Sequence, residues 1–193
     1  MIKQDSISIM MTIVAVAISL YLATYELGVL ILFPLILLFS GLILQILYMR
    51  RMEYTDHIFE EETSANITYY TMLAFIGILM GSLFANFVRP QFIIGVELSI
   101  VSLRLFAALM AICEEQFFRG FFTNFFLKIF NNPYVAAGLS GVVFAIYHFR
   151  VYGTSNAFFY VIISGFALSY VAIKSGRLSP CILAHVINNI LAV

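Results

Sequence analysis

Apolar runs of helix length recur along almost the whole chain: Ile7 to Ala23, Gly28 to Tyr48, Ile67 to Phe87, Phe92 to Phe130, Tyr134 to His148, Ala157 to Ile173 and Pro180 to Ala192. Crossing a hydrocarbon core of roughly 30 Å takes about 20 helical residues. A backbone in lipid must also satisfy its own hydrogen bonds, which leaves helices or a closed barrel. These runs therefore predict an all-α, polytopic transmembrane bundle of about seven to eight helices. Only 10% of the residues are charged and 63% are hydrophobic, far from the quarter charged that is usual in soluble domains. Residues 1–193 read as a single integral membrane domain with no stretch left for a separate soluble one.

The fourth run is too long for one span, since about 39 residues rising 1.5 Å each reach nearly 60 Å. It is expected to split near Glu97 to Arg104 or to project beyond the bilayer. Arg89-Pro90 closes the third run, Asn131-Asn132-Pro133 makes a turn before the fifth, and Lys174 to Arg177 separates the sixth from the seventh. The strongly polar stretch Arg50 to Ser64, with Glu53, Asp56, Glu60, Glu61, Glu62 and His57, reads as a solvated connector. Orientation follows Lys and Arg near helix ends. With the N-terminus in the cytoplasm, Lys3, Arg50, Arg51, Lys128, Lys174 and Arg177 lie inside, against Arg89 and Arg150 outside.

Several functions lose support at this point. Ten acidic and ten basic residues give zero net charge, so attraction to nucleic acid has no basis in the total. Cys113 and Cys181 sit in apolar segments without a CxxC pair and read as buried, inert thiols. The first run lacks a small-x-small cleavage site and is soon followed by a second span, so it reads as a retained helix and not as a signal peptide. No internal repeat supports an inverted-repeat transporter.

Ionisable groups inside membrane helices cost several kcal/mol unless they face one another or a wet cavity, and by default they mark a functional site. Here they are Glu97, Arg104, Glu114, Glu115, Arg119, His148 and His185, with Asn188 and Asn189 as uncharged companions. Glu115 and Arg119 are four apart with the acid first, the favourable order for an ion pair on one helix face. Arg104 and Glu97 come round to nearly the same face at 100° per residue. Glu114 points about 100° away from that stripe, so it is expected to be unpaired and available as a base, with Glu115 and Arg119 structural.

If the fourth and fifth runs form a hairpin through Asn131-Asn132-Pro133, Glu114 and His148 sit level, because each is 17 residues from Asn131. Phe144 lies one turn before His148 and is placed to wall off the imidazole. His185 and Asn189 share one face of the last helix. Each of these residues alone also suits a packing role; their gathering on three helices able to converge favours one polar pocket. The Phe pairs between 117 and 126 read as core or lipid-facing residues.

The pattern Glu114-Glu115-Gln116-Phe117-Phe118-Arg119-Gly120 matches an EExxxR motif, Phe144 to His148 an FxxxH motif, and His185 to Asn189 an HxxxN motif, in that order. Over about residues 100–193 the chain resembles the CPBP family, the CAAX proteases and bacteriocin-processing enzymes also called the Abi family. The resemblance implies an intramembrane endopeptidase acting on membrane-associated peptides or lipidated proteins, of the CAAX type or the leader and bacteriocin type. It implies that Glu114 and His148 activate water and that His185 and Asn189 form an oxyanion hole. Glu115 and Arg119 would fix the helix carrying the base, and Phe144 would position His148.

Two His and a Glu also make a catalytic zinc set, Glu114, His148 and His185, with an open position for water. Against it stand the lack of HExxH spacing and Asn189, a poor zinc ligand but a good oxyanion donor, so the expectation is a metal-free reaction with zinc as the alternative. A further alternative is a non-catalytic bacteriocin-immunity or scaffold protein on the same fold. A channel would need polar residues along a path across the bilayer, whereas these cluster around one pocket. Abundant Ile, Phe, Tyr and Asn without Trp hint at an AT-rich microbial genome, hence a microbial plasma membrane.

Overall fold

In the computed structural model the residues described are 2, 4–25, 31–50, 66–84, 99–152 and 155–193. They form a helical bundle: α1 (Ser6–Tyr25), α2 (Leu32–Arg50), α3 (Ile67–Phe84), α4 (Ile100–Phe117), α5 (Asn124–Phe130), α6 (Pro133–Tyr152), α7 (Ser155–Ser175) and α8 (Ser179–Ala192). A π-helical turn, Phe118–Thr123, joins α4 to α5. Glu97, the Arg89-Pro90 break and the polar stretch with His57 lie outside the described residues, as does the side chain of Arg150.

Local chemistry sets the ends. Asp5 and Ser8 bond reciprocally, each accepting from the other's backbone N–H (2.8 and 2.9 Å), and so start α1 as a capping box. Ser99 caps α4 by accepting from the Ser102 N–H. This start falls within the window in which the long fourth run was expected to split. From Ile100 the helix runs through the π turn to Phe130, a rod of about 46 Å at 1.5 Å per residue, longer than the hydrocarbon core. Asn131 then adopts the left-handed conformation (φ 47°), and Asn132 Oδ1 accepts from the N–H groups of Tyr134 and Val135 with Pro133 opening α6. The hairpin therefore closes at the turn read from Asn131-Asn132-Pro133.

The α4 rod lies at the centre, packed against α8, α2 and α1, while α7 packs against α6 and α3. Small residues bring the last group close, as expected where lipid supplies no hydrophobic drive between helices. A Cβ on Gly77 would stand 2.4 Å from that of Ala167, and one on Gly141 would stand 2.8 Å from the Phe166 backbone nitrogen. Where α6 and α7 meet, the buried hydroxyls of Thr123, Ser140 and Ser169 gather: Thr123 Oγ1 is 2.8 Å from Ser140 Oγ and 3.2 Å from Ser169 Oγ. Large apolar side chains such as Ile13, Leu20, Ile36, Leu83, Phe149 and Leu191 stay exposed. Among the described helices two, over Ser6–Thr24 and Phe158–Ser175, are by themselves long and apolar enough to cross a membrane.

Candidate active site

Three helices meet at one buried carboxylate. Glu114 on α4 is 4% exposed; its Oε1 is 3.6 Å from His148 Nε2 on α6, and its Oε2 is 3.8 Å from His185 Nε2 on α8. Both separations exceed a direct hydrogen bond. The level pairing of Glu114 with His148 across the hairpin is thus present. The unpaired Glu114 expected from the helical face of α4 is not, because that reading counted only neighbours on the same helix.

Each histidine is held through its other nitrogen. A backbone carbonyl only accepts, so His148 Nδ1 donates to Phe144 O at 2.9 Å, which leaves Nε2 turned to Glu114. His185 Nδ1 is 2.7 Å from Glu115 Oε1. That oxygen is also 3.0 Å from Arg119 Nη1, both side chains being fully buried. The Arg119 N–H is not directed along this line, and Nη1 and Nε make no aligned hydrogen bond; the contact is an ion pair by charge and distance. Arg119 Nη2 instead donates to Gly165 O at 3.4 Å, and the guanidinium lies 4.2 Å above the Phe144 ring centre. Glu115 is therefore more than half of a helix-packing pair: it orients His185 as the carboxylate of a triad orients its imidazole. Arg104, expected on the same stripe, is exposed, because eleven residues are about 16 Å along a helix axis and put it beyond reach.

Phe144 walls the site. Its ring meets His148 edge-on at 4.3 Å and His185 at 6.0 Å, and it packs against Phe118 at 5.0 Å. Asn189, one turn beyond His185, donates from Nδ2 to Ala107 O at 3.3 Å, and its Oδ1 accepts from Asn188; Ala107 is seven residues, about two helical turns, before Glu114 on α4, so the amide does not sit at the carboxylate. Tyr147 was not singled out in the sequence. Its hydroxyl is close enough to Glu114 to interact with the carboxylate, and its ring packs against His148 and Phe118 at 4.8 and 5.2 Å. The signal was available in its place directly before His148. Cys113 and Cys181 are buried and free, and the Cys181 thiol donates to Leu168 O.

Among the described residues no group of three or more His, Cys, Asp or Glu side chains is arranged to hold a metal ion. The carboxylate of Glu114 is splayed, one oxygen towards each imidazole, whereas a single tetrahedral cation needs both imidazoles and one oxygen around a common point.

A model of the Rce1-like type II CAAX prenyl endopeptidase family matches residues 95–191, half of the chain, and the match spans every residue placed in the site above. No curated protein and no solved structure matches the chain. The family is membrane-embedded, a setting that suits the apolar exterior of the bundle. With its matched half carrying the buried carboxylate and both imidazoles, the chain belongs to the Rce1-like type II CAAX prenyl endopeptidase family.

Proposed function

We propose that this protein is an intramembrane endopeptidase in which Glu114 and His148 activate a water for attack on a peptide carbonyl. The observation that carries this reading is the buried Glu114 carboxylate with an imidazole Nε2 facing each of its oxygens. Peptide hydrolysis needs a base for the water proton and fixed donors for the oxyanion, and a dry site strengthens both. Glu114 takes the proton while the water oxygen bonds to the carbonyl carbon. His148, with Nδ1 committed to Phe144, helps orient that water.

His185 supplies the first oxyanion donor. Its Nδ1 is held by Glu115, which leaves Nε2 turned to Glu114 and to an oxyanion formed beside it. Asn189 supplies the second donor by turning its amide from the Ala107 carbonyl to the substrate. When the tetrahedral centre collapses, the C–N bond breaks and the proton held at Glu114 passes to the leaving amine, giving a carboxylic acid and an amine; the second water proton then moves from acid to amine, leaving carboxylate and ammonium.

The substrate class that fits is a peptide delivered through the membrane, either a lipidated CAAX-type C-terminus or a leader-type peptide. On this reading the end of the bundle bearing Lys128, Lys174 and Arg177 faces the cytosol, in a microbial plasma membrane. The stacked Tyr134 and Tyr170, 5.5 Å apart, lie at that end with Lys174 over the Tyr170 ring, as interfacial aromatics and lysines do.

The test is cleavage of a farnesylated CAAX peptide and of a leader peptide in detergent by the wild type and Glu114→Gln. The variant is expected to lose about 10²- to 10⁴-fold in kcat/KM; equal turnover removes Glu114 from the reaction. Turnover that survives a zinc chelator supports activation by Glu114 and His148 alone, and loss restored by added zinc supports the metal alternative.

A further inference from the structure

The π turn that follows Glu115 is pinned by side chains. Thr123 Oγ1 donates to Phe118 O at 3.1 Å and Asn124 Nδ2 to Gly120 O at 2.9 Å, both from within the rod. A third donor comes from outside it: Gln45 Nε2 on α2 donates to Gln116 O at 2.8 Å. Gln45 is buried, and its amide occupies the space above Gly120, where a Cβ would stand 2.1 Å from Nε2.

The far side of the same amide is also held. Gln45 Oε1 accepts from Gln4 at 3.0 Å, Gln4 bonds to the Gln116 side chain, and Gln116 Nε2 donates to Thr12 Oγ1 at 2.8 Å. The segment ahead of α1 closes the set, for the Ile2 N–H donates to Asn124 Oδ1 at 2.8 Å and Asn124 returns a bond to Ile2 O. Gln45, Gln116 and Asn124 are buried, where an unmatched amide is costly, and Gln4 and Thr12 are half-buried beside them. None of them touches Glu114, His148 or His185.

A π turn is a local widening of an α-helix by one residue. Its place along the rod decides how the residues before it are turned relative to those after it, about 100° for each residue of displacement. Gln116 is the residue directly after Glu115, so a donor fixed on its carbonyl holds the widening where it begins. We propose that Gln45 is a positioning residue for the reaction, acting through the Gln116 carbonyl to keep Glu114 and Glu115 aimed at His148 and His185. Gln45 lies outside the residues that match the family, so the role is one this chain's own α2 supplies. The proposal rests on the protease reading of Glu114.

Gln45→Met keeps the length of the side chain and removes the donor, while Gly120→Ala leaves Gln45 in the sequence and displaces its amide. In detergent, with the farnesylated peptide, each is expected to lower kcat about tenfold, as small misplacements of catalytic groups do, with KM within about twofold. The double variant should be no worse than either single one, since both remove the same contact. Ring ¹⁵N shifts of His185 should move in all three variants, reporting a changed bond to Glu115. Unchanged His185 shifts in the folded variants, unchanged kcat per folded molecule, or losses that add in the double variant would overturn the positioning role. The shifts are read whether or not peptide is cut, so absence of wild-type turnover counts against the protease reading alone.

Discussion

Glu115 Oε1 stands between Arg119 Nη1 at 3.0 Å and His185 Nδ1 at 2.7 Å, joining a buried cation on its own helix to an imidazole seventy residues away. One oxygen thus holds both the charge balance and the aim of the site. Removing this carboxylate by Glu115→Gln leaves Arg119 charged and uncompensated in the interior, so a loss of about 3–5 kcal/mol is expected. Thermal unfolding in detergent measures it. Adding Arg119→Met should recover part of the loss, with a coupling of about 1–3 kcal/mol; strictly additive losses would show that the pair does not interact.

Tyr147 tests the carboxylate from the other side. Tyr147→Phe keeps the ring against Phe118 and His148 and deletes only the hydroxyl. Losing the hydroxyl near Glu114 should lower kcat/KM about threefold to tenfold while the melting temperature changes little. Unchanged peptide cleavage would leave the tyrosine a packing residue.

Thr123 serves the π turn, α6 and α7 together. Thr123→Val is nearly isosteric, yet it strips the donor from Phe118 O and breaks up the hydroxyl cluster with Ser140 and Ser169. Unsatisfied groups in a dry interior put the expected destabilisation at about 1–3 kcal/mol, read as a fall in melting temperature. A variant as stable as the wild type would mean that Ser140 and Ser169 re-pair without it.

Gly141 and Gly165 set how closely α6 and α7 cross, since a Cβ on Gly165 would lie 2.8 Å from the Gly141 Cα. The contact is with backbone, so neither side can yield by changing rotamer. Gly141→Ala should force the helices apart at a cost of about 1–3 kcal/mol. It should also weaken the bond from Arg119 to Gly165 O, which shows as a larger effect in the wild type than in an Arg119→Met background. Equal effects in both backgrounds would separate the crossing from the charge network.

The helices and the meeting of Glu114 with His148 were legible in the sequence because apolar run length and distance from a turn are properties of one chain segment at a time. His185 was placed on a polar face by the same means, but its bond to Glu115 joins residues on different helices, and no helical spacing encodes it. Gln45 and Gln116 were passed over for another reason: the reading weighed ionisable groups within apolar runs and, of the neutral amides, only Asn188 and Asn189 beside His185, although the same desolvation argument applies to all. The π turn had no visible sign, since Phe118 to Thr123 reads equally well as α-helix until the donors from Gln45, Thr123 and Asn124 are seen. Asn189 shows the opposite limit, because its spacing from His185 is right and yet its amide rests on the Ala107 carbonyl.

The length of the central rod has a consequence for how this protein meets its substrate. Glu114 lies about 21 Å from the Ile100 end and about 24 Å from the Phe130 end at 1.5 Å per residue, close to midway along a helix longer than the apolar slab. On the protease reading, a peptide that reaches this site through the membrane leaves the aqueous phase first, and a hydrocarbon chain attached to it makes that transfer favourable by about 0.8 kcal/mol for each buried methylene. The supply of substrate is then governed by its partitioning into the two-dimensional phase. Turnover at saturating enzyme should follow the mole fraction of peptide in the micelle or bilayer, so diluting the same peptide with more detergent slows the reaction even when its molarity is unchanged.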